Sequence, residues 1–231
     1  MKAFLDELLN RYPVLNDCKE EIQIAGKMML ETYKAGGKIL VCGNGGSCSD
    51  SDHIVGELMK GFLGKRKMSV DQQEIFRNVL GADAENLIEK LQCGIPAISL
   101  PAQSAILSAF ANDVDAELVY AQMVFGYAKT EDLFIGLSTS GNSKNVVMAA
   151  KVAKATGMRT VALTGAKKVL CPRFVIVPLK FRRPKPSRFK SFICPYITIF
   201  APRWSKCCLV LRIDNCIRLL SVANERISIP C

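Results

Sequence analysis

The sequence predicts an α/β protein in which helices cover both faces of a parallel sheet. Short apolar runs rich in β-branched residues alternate with longer segments of helical period, as in folds of this class. The four clearest runs lie at residues 38–42, 97–100, 133–137 and 160–163. Of the 231 residues, 49% are apolar, so the chain can bury one sizeable core.

Segments of helical period precede and separate these runs. Residues 2–34 are predicted to be helix interrupted at Pro13, with Asn16 as the cap of the second part. Residues 63–95 are polar and helix-favouring, and we interpret them as a helical insertion. Further helices are predicted at residues 104–111, 115–127 and 144–156.

The stretch GNGGSCSDSDHIVGEL, from Gly43 to Leu58, joins the first run to a helix through a turn of small residues. Glycines adopt backbone conformations that other residues avoid, and Ser47 is a good capping residue. A strand, a glycine turn and a helix N-terminus together favour phosphate, because backbone amides and the helix dipole point at the turn. The stretch is neither a P-loop nor a dinucleotide fingerprint, and alone it is also compatible with a plain tight turn.

A second small, hydroxyl-rich turn, STSGNSKNV, directly follows the third run. Both turns leave the carboxyl end of a predicted parallel strand, which is where open α/β sheets bind ligands. The pair of turns therefore predicts a phosphosugar site. The second turn offers four hydroxyl groups for the phosphate, from Ser138, Thr139, Ser140 and Ser143.

One helical turn beyond the glycines, His53 and Glu57 are four residues apart and share a helix face. A neutral imidazole can bind a divalent metal, and a carboxylate beside a sugar phosphate can move a proton. Two ligands do not complete a metal site. The alternative interpretation is a polar pair that faces solvent, a role that Asp52 could fill instead.

The succession of GNGGS, His53, Glu57, an Asn-Asp pair, LSTSGNS and ALTG resembles the sugar isomerase (SIS) domain family over about residues 1–166. It is most similar to the D-sedoheptulose 7-phosphate isomerases (phosphoheptose isomerases). The resemblance implies a three-layer fold with a five-stranded parallel sheet, usually in a homotetramer. It also implies a zinc cofactor and aldose-ketose isomerisation of sedoheptulose 7-phosphate, a step of heptose biosynthesis.

Site residues follow from the same resemblance, motif by motif. His53 and Glu57 would be zinc ligands, and Glu57 would also be the general base that moves a proton between C1 and C2 through an enediol. The substrate-binding residues would come from both turns and from the Asn-Asp pair: Asn44, Gly45, Gly46, Ser47, Asn112, Asp113, Ser138, Thr139, Ser140 and Ser143.

The composition changes near Ala166. Residues 1–166 contain 17 Lys and Arg against 19 Asp and Glu, whereas residues 167–231 contain 14 against 2, together with six of the ten cysteines. The family's second half-site, a Gln-Glu-Leu-His motif, is missing from this part, and His53 is the only histidine in the chain. We therefore interpret residues 167–231 as an aberrant basic tail, with one strand at residues 174–178.

A frameshift accounts for this tail. With allowed codons for Arg188 to Ile197, a frame shifted by one base encodes Ile-Gln-Glu-Leu-His-Leu-Pro-Ile-Tyr, which contains the missing motif. We hypothesise that a single-base slip near Ala166 replaced the native C-terminus and impaired the activity of this chain.

Two other functions stay open at this point. A SIS domain can act as a non-catalytic adaptor that binds a phosphosugar or a replication initiator, which predicts binding without turnover. The basic tail could instead bind nucleic acid, since its Arg and Lys residues lie among phenylalanines, but it has no recognisable nucleic-acid fold signature.

The compartment is predicted from what the sequence lacks. It contains no signal peptide, no CxxC pair and no apolar span of 18 residues. We therefore expect a reducing, cytoplasmic compartment and no membrane partner.

Overall fold

A computed structural model describes residues 2–61, 65–165 and 177–181 of the chain. These residues fall into two compact units, one formed by residues 2–56, 96–165 and 177–181 and the other by residues 57–61 and 65–95. The helices within these ranges are α1 (Lys2–Arg11), α2 (Lys19–Lys34), α3 (Gly46–Met59), α4 (Val70–Leu80), α5 (Ala84–Lys90), α6 (Ser104–Phe110), α7 (Val119–Tyr127) and α8 (Lys144–Ala155).

A parallel sheet of five strands forms the centre of the first unit. The strands are β1 (Ile39–Gly43), β2 (Ala97–Ser99), β3 (Leu133–Ser138), β4 (Arg159–Gly165) and β5 (Val177–Phe181), in the order β2-β1-β3-β4-β5. The predicted α/β fold with a parallel sheet of about five strands is therefore confirmed. The fifth strand, predicted over residues 174–178, is described over Val177–Phe181; residues 174–176 lie outside the described ranges, as does the basic tail beyond Phe181.

The strand order reverses between β1 and β3. After β1 the chain adds β2 on one side, and it later returns to add β3 on the other side of β1. Ile39 of β1 is paired with Leu133 of β3, and Gly43 is paired with Leu137, so both strands end at the same level. The loops after β1 and β3 consequently open at the switch point of the sheet, where α/β proteins bind ligands.

Both faces of the sheet are buried, which explains why its strands are continuous apolar runs. On one face Leu40 and Phe134 belong to a cluster with Val124 of α7 and Ala149 of α8. Side chains alternate along a strand, so Ile39 and its alternate neighbours point to the other face, where α2 packs against β3 and β5. The layers are helix, sheet and helix, as the family resemblance implied.

The second unit contains α4 and α5, in the segment predicted to be a helical insertion. Ser69 and Gln72 form a reciprocal capping box at the start of α4. The guanidinium of Arg66, 4% exposed, donates to the carbonyl oxygens of Leu58 and Cys93. Arg66 thus ties the two ends of this unit together.

Some local predictions differ from the structure. Ser47, predicted as a capping residue, lies inside α3, and the helix predicted over residues 115–127 begins at Val119. Asn16 does not cap α2, because its amide donates to the carbonyl of Pro13 within a 3-10 turn over Pro13–Cys18. The helix predicted over 104–111 ends at Phe110 and continues as a π-helical turn over Ala111–Asp115. Across the described ranges no helix combines the length and the apolar character needed to cross a membrane.

Candidate functional site

The glycine turn and the second turn lie side by side at the carboxyl edge of the sheet, as predicted. Gly43 is paired with Leu137, the residue before Ser138. The side chains of Asn44 and Asn145 form two hydrogen bonds across the gap. Nδ2 of Asn44 donates to Oδ1 of Asn145 at 2.8 Å, and Nδ2 of Asn145 donates to Oδ1 of Asn44 at 3.0 Å.

The glycine turn needs small residues for steric reasons. A Cβ at Gly43 would lie 2.6 Å from the Cβ of Ser47. Gly45 has a φ of +57°, a backbone conformation that residues other than glycine rarely adopt. The amides of Ser47 and Cys48 donate to the carbonyls of Asn44 and Gly45 at 3.0 and 3.1 Å. Two of the amides that this helix start could offer to an anion are therefore engaged within the turn.

The second turn brings its hydroxyl groups together. Oγ of Ser138 and Oγ of Ser143 are 2.9 Å apart, and the amide of Gly141, with a φ of +69°, donates to the carbonyl of Ser138. Oγ of Ser140 accepts a hydrogen bond from the amide of Asn142 at 3.2 Å. Ser138 is buried, whereas Thr139 and Ser140 are exposed. The turn can therefore present hydroxyl groups to a ligand from a hydrogen-bonded frame.

Tyr120, which the sequence did not point to as a site residue, supports the start of the glycine turn through a hydrogen bond. Its hydroxyl donates to the carbonyl of Gly43 at 3.0 Å, and its side chain is buried in α7. β2 pairs with β1 only as far as Val41 and Ser99. On the β2 side, Gly43 therefore extends beyond the sheet ladder, and Tyr120 supplies a hydrogen-bond donor for its carbonyl.

The pKa values of Tyr120 and of the nearby Cys48 thiol are both raised. Burial, and then the neighbouring Cys42, Cys48 and Asp52, raise the pKa of Tyr120. Burial, followed by the charge of Asp52, also raises the pKa of the Cys48 thiol. Asp52 itself accepts a hydrogen bond from the hydroxyl of Ser99 at the end of β2. Asp52 is exposed, and this bond anchors it to the sheet.

His53 and Glu57 lie four residues apart on α3, as predicted. His53 is exposed and Glu57 is half-buried. Glu57 begins the second compact unit, whereas His53 and both turns belong to the first. Their roles as ligands and base stay predictions.

Asn112 and Asp113 lie on the π-helical turn after α6, where both are exposed. Nδ2 of Asn112 donates to Oδ1 of Asp113 at 2.8 Å. The described side-chain hydrogen bond of Asn112 joins it to Asp113, within the pair. The side-chain hydrogen bonds of Asn44, in contrast, join the glycine turn to the second turn. The role of the pair in substrate binding stays a prediction.

The described residues do not fit a complete zinc site. Among them, no group of three or more His, Cys, Asp or Glu side chains is arranged to hold a metal ion. His53 and Glu57 are two groups, whereas zinc sites use three or four protein ligands. We therefore derive no step of a reaction through a metal.

Comparison with known sequences gives consistent matches. The family model of the SIS domain matches residues 3–78 and 71–165. A phosphoheptose isomerase of Aliarcobacter butzleri is 34% identical over 182 residues, which cover 77% of this chain and 82% of the relative. A phosphoheptose isomerase of Akkermansia muciniphila is 34% identical over 158 residues, which cover 68% of this chain and 70% of the relative.

Solved structures share the fold. A phosphoheptose isomerase from Neisseria gonorrhoeae has a TM-score of 0.64 and 24% identity, over 87% of this chain and 93% of that one. One from Francisella tularensis has a TM-score of 0.64 and 21% identity, over 85% and 95%. At these identities the likeness shows the fold, in agreement with the sheet and helices described above.

Proposed function

The chain belongs to the SIS domain family, and from this premise we propose that it is an isomerase that interconverts sedoheptulose 7-phosphate and the corresponding aldose phosphate. The observation that carries the proposal is the meeting of the glycine turn and the hydroxyl-rich turn at the switch point of the sheet. Relatives named phosphoheptose isomerase, 34% identical to this chain, support the substrate.

The second turn is the part suited to the phosphate. In the pair formed by the Ser138 and Ser143 hydroxyls, one donates to the other, which leaves the hydrogen of the second hydroxyl for the phosphate. Thr139 and Ser140 add exposed hydroxyls, and α8 begins directly after Ser143 with its amides and the positive end of its dipole. The negative phosphate would be held by neutral donors.

The proton transfer needs a base near C1 and C2 of the sugar. Isomerisation removes a proton from one of these carbons and returns it to the other, with an enediol between the two steps. We propose Glu57 as this base, since a carboxylate can both accept and return the proton. His53 lies one helical turn earlier on α3.

The finer points of the sequence interpretation stay proposals. Zinc binding, the homotetramer and the cytoplasmic compartment come from the family resemblance and the composition. The impaired activity, the non-catalytic adaptor and the nucleic-acid-binding tail gain no support from the fold or from the relatives. The frameshift falls on residues outside the described ranges.

Replacing Glu57 by glutamine tests the function. We expect the kcat for sedoheptulose 7-phosphate to fall by about 10²–10⁴-fold, because the amide cannot accept the proton. Calorimetry should give a similar affinity for the substrate, since the turns that would hold the phosphate are unchanged. Glu85→Gln, an exposed change on α5, is the matched control. A parent chain that neither binds nor converts this sugar would contradict the proposal, and so would equal rates for Glu57→Gln and the parent.

A further inference from the structure

We propose that Asn145 is a positioning residue of the isomerase, which fixes the glycine turn against the second turn by pairing with Asn44. The inference rests on the proposed function for its effect on the substrate. The contact itself is independent of that function. It joins residues 101 positions apart in the sequence, at the edge of the sheet where both turns meet.

The pair is reciprocal, with each amide both donating and accepting, at 2.8 and 3.0 Å. Asn145 lies in the first turn of α8 and is half-buried, whereas Asn44 is exposed within the glycine turn. A reciprocal pair fixes both the distance and the relative orientation of the two side chains, which a single hydrogen bond does not. The pair therefore fixes the position of Asn44, and with it the glycine turn, relative to α8.

The hydrogen-bond capacity of the two residues separates their roles. Oδ1 of Asn145 accepts from Nδ2 of Asn44 and also from the amide of Val146 at 2.9 Å, which uses both of its lone pairs. The described bonds of Asn44 use one hydrogen of its Nδ2 and one lone pair of its Oδ1, so one of each is left for a ligand. Asn44 can therefore touch the substrate while it is paired, and Asn145 acts through Asn44.

The energetic benefit is preorganisation. One turn would hold the phosphate of the ligand and the other would contact the carbon chain of the sugar. Such a ligand binds tightly only if the two turns keep a fixed separation before it arrives. The backbone at the start of the glycine turn is already restrained by the hydrogen bond that the Tyr120 hydroxyl donates to the Gly43 carbonyl. The Asn44–Asn145 pair adds a second restraint, which joins the glycine turn to the second turn.

The test is a double-mutant cycle of Asn145→Ala, Asn44→Ala and the double variant, with Asn16→Ala as the control. Asn16 also donates its amide to a neighbouring group, the Pro13 carbonyl, but in the N-terminal segment. The first readout is hydrogen exchange of peptides that cover residues 43–48. Asn145→Ala should speed exchange there by about 3–10-fold, the equivalent of one or two neutral hydrogen bonds, and the double variant should add little to this. Asn16→Ala should leave this exchange unchanged.

The second readout is the affinity and turnover of sedoheptulose 7-phosphate. Asn145→Ala should weaken binding or raise KM by about 3–10-fold, with a smaller change in kcat, because the proton transfer is not altered. The effects of the two single substitutions on KM should again be non-additive.

Two outcomes overturn the proposal. One is unchanged exchange at residues 43–48 in Asn145→Ala, and the other is strict additivity, which would mean that Asn145 only caps α8 through Val146. A parent chain without binding or turnover would instead contradict the proposed function, and the exchange measurement would still decide whether Asn145 positions the turn.

Discussion

Replacing Asp132 by asparagine should destabilise the first unit while leaving the chemistry at the opposite edge of the sheet intact. The Asp132 side chain is 1% exposed and accepts three hydrogen bonds. These come from the amides of Lys38 and Lys129, each at 2.9 Å, and from Nζ of Lys38 at 2.6 Å. The carboxylate thus fixes the starts of β1 and β3 and the turn that precedes β3.

The expected loss follows from these contacts. An asparagine amide keeps one acceptor oxygen and turns an NH₂ group toward at least one of the same donors, so one or two bonds are lost and Lys38 loses its counter-charge. Bonds to charged groups contribute about 1.5–3 kcal/mol each, and the Lys38 side chain, 21% exposed, recovers part of its hydration. We expect a loss of about 2–4 kcal/mol, or a Tm lower by about 5–15 °C for a chain of this size.

Urea unfolding and scanning calorimetry measure this change, with Glu117→Gln as the control. That substitution breaks the Lys144–Glu117 ion pair, whose side chains are 74% and 51% exposed, and should cost less than about 1 kcal/mol. The kcat/KM of Asp132→Asn, measured well below its Tm, should equal that of the parent, because Asp132 precedes β3 and the six residues of β3 span about 20 Å to the site edge. A loss no larger than that of the control would refute the reasoning that the three bonds carry the stability.

Two further predictions concern the site and the tail. Tyr120→Phe removes the donor to the Gly43 carbonyl and should cost about 1–2 kcal/mol in urea unfolding, whereas Tyr127→Phe, which removes an exposed bond to Gln103, should cost under about 0.5 kcal/mol. Equal losses would show that the Gly43 carbonyl does not need Tyr120. A chain whose frame is restored after Ala166 should convert sedoheptulose 7-phosphate about 10²–10⁴-fold faster than the present chain, because the restored Gln-Glu-Leu-His half-site would supply a second group for the proton transfer. Equal rates would contradict the predicted impairment.

The sheet could be predicted from the sequence because its signals are local. The run at residues 133–137 contains little but apolar residues and is followed by a small-residue turn, and β3 occupies Leu133–Ser138. Because the strands are predicted to be parallel, both turns are expected at the carboxyl edge of the sheet, and the register places Gly43 beside Leu137 there. The π-helical turn at Ala111–Asp115 could not be predicted in this way, because such turns are rare and the residues at its start are interpreted as the end of an α-helix.

The contacts that hold the site are the part that local patterns could not reveal. Tyr120 and Gly43 are 77 residues apart, and Asn44 and Asn145 are 101 residues apart. Tyr120 falls among apolar neighbours in a predicted helix, where a core role is the obvious interpretation. Asn145 lies within the STSGNSKNV motif, and its only local signal is a polar side chain in the first turn of α8.

These supports explain how a turn built from small residues can serve as one side of a binding site. Gly43, Gly45 and Gly46 provide space for a ligand but few side-chain contacts, so the turn by itself has little to define its shape. The Tyr120 hydroxyl defines where the turn begins, and Asn145 defines how far it lies from the second turn. Both supports come from α7 and α8, which pack on each other on one face of the sheet. The geometry of the proposed site is therefore determined by the packing of that helical layer, and substitutions that shift α7 against α8 should change substrate affinity without touching the substrate.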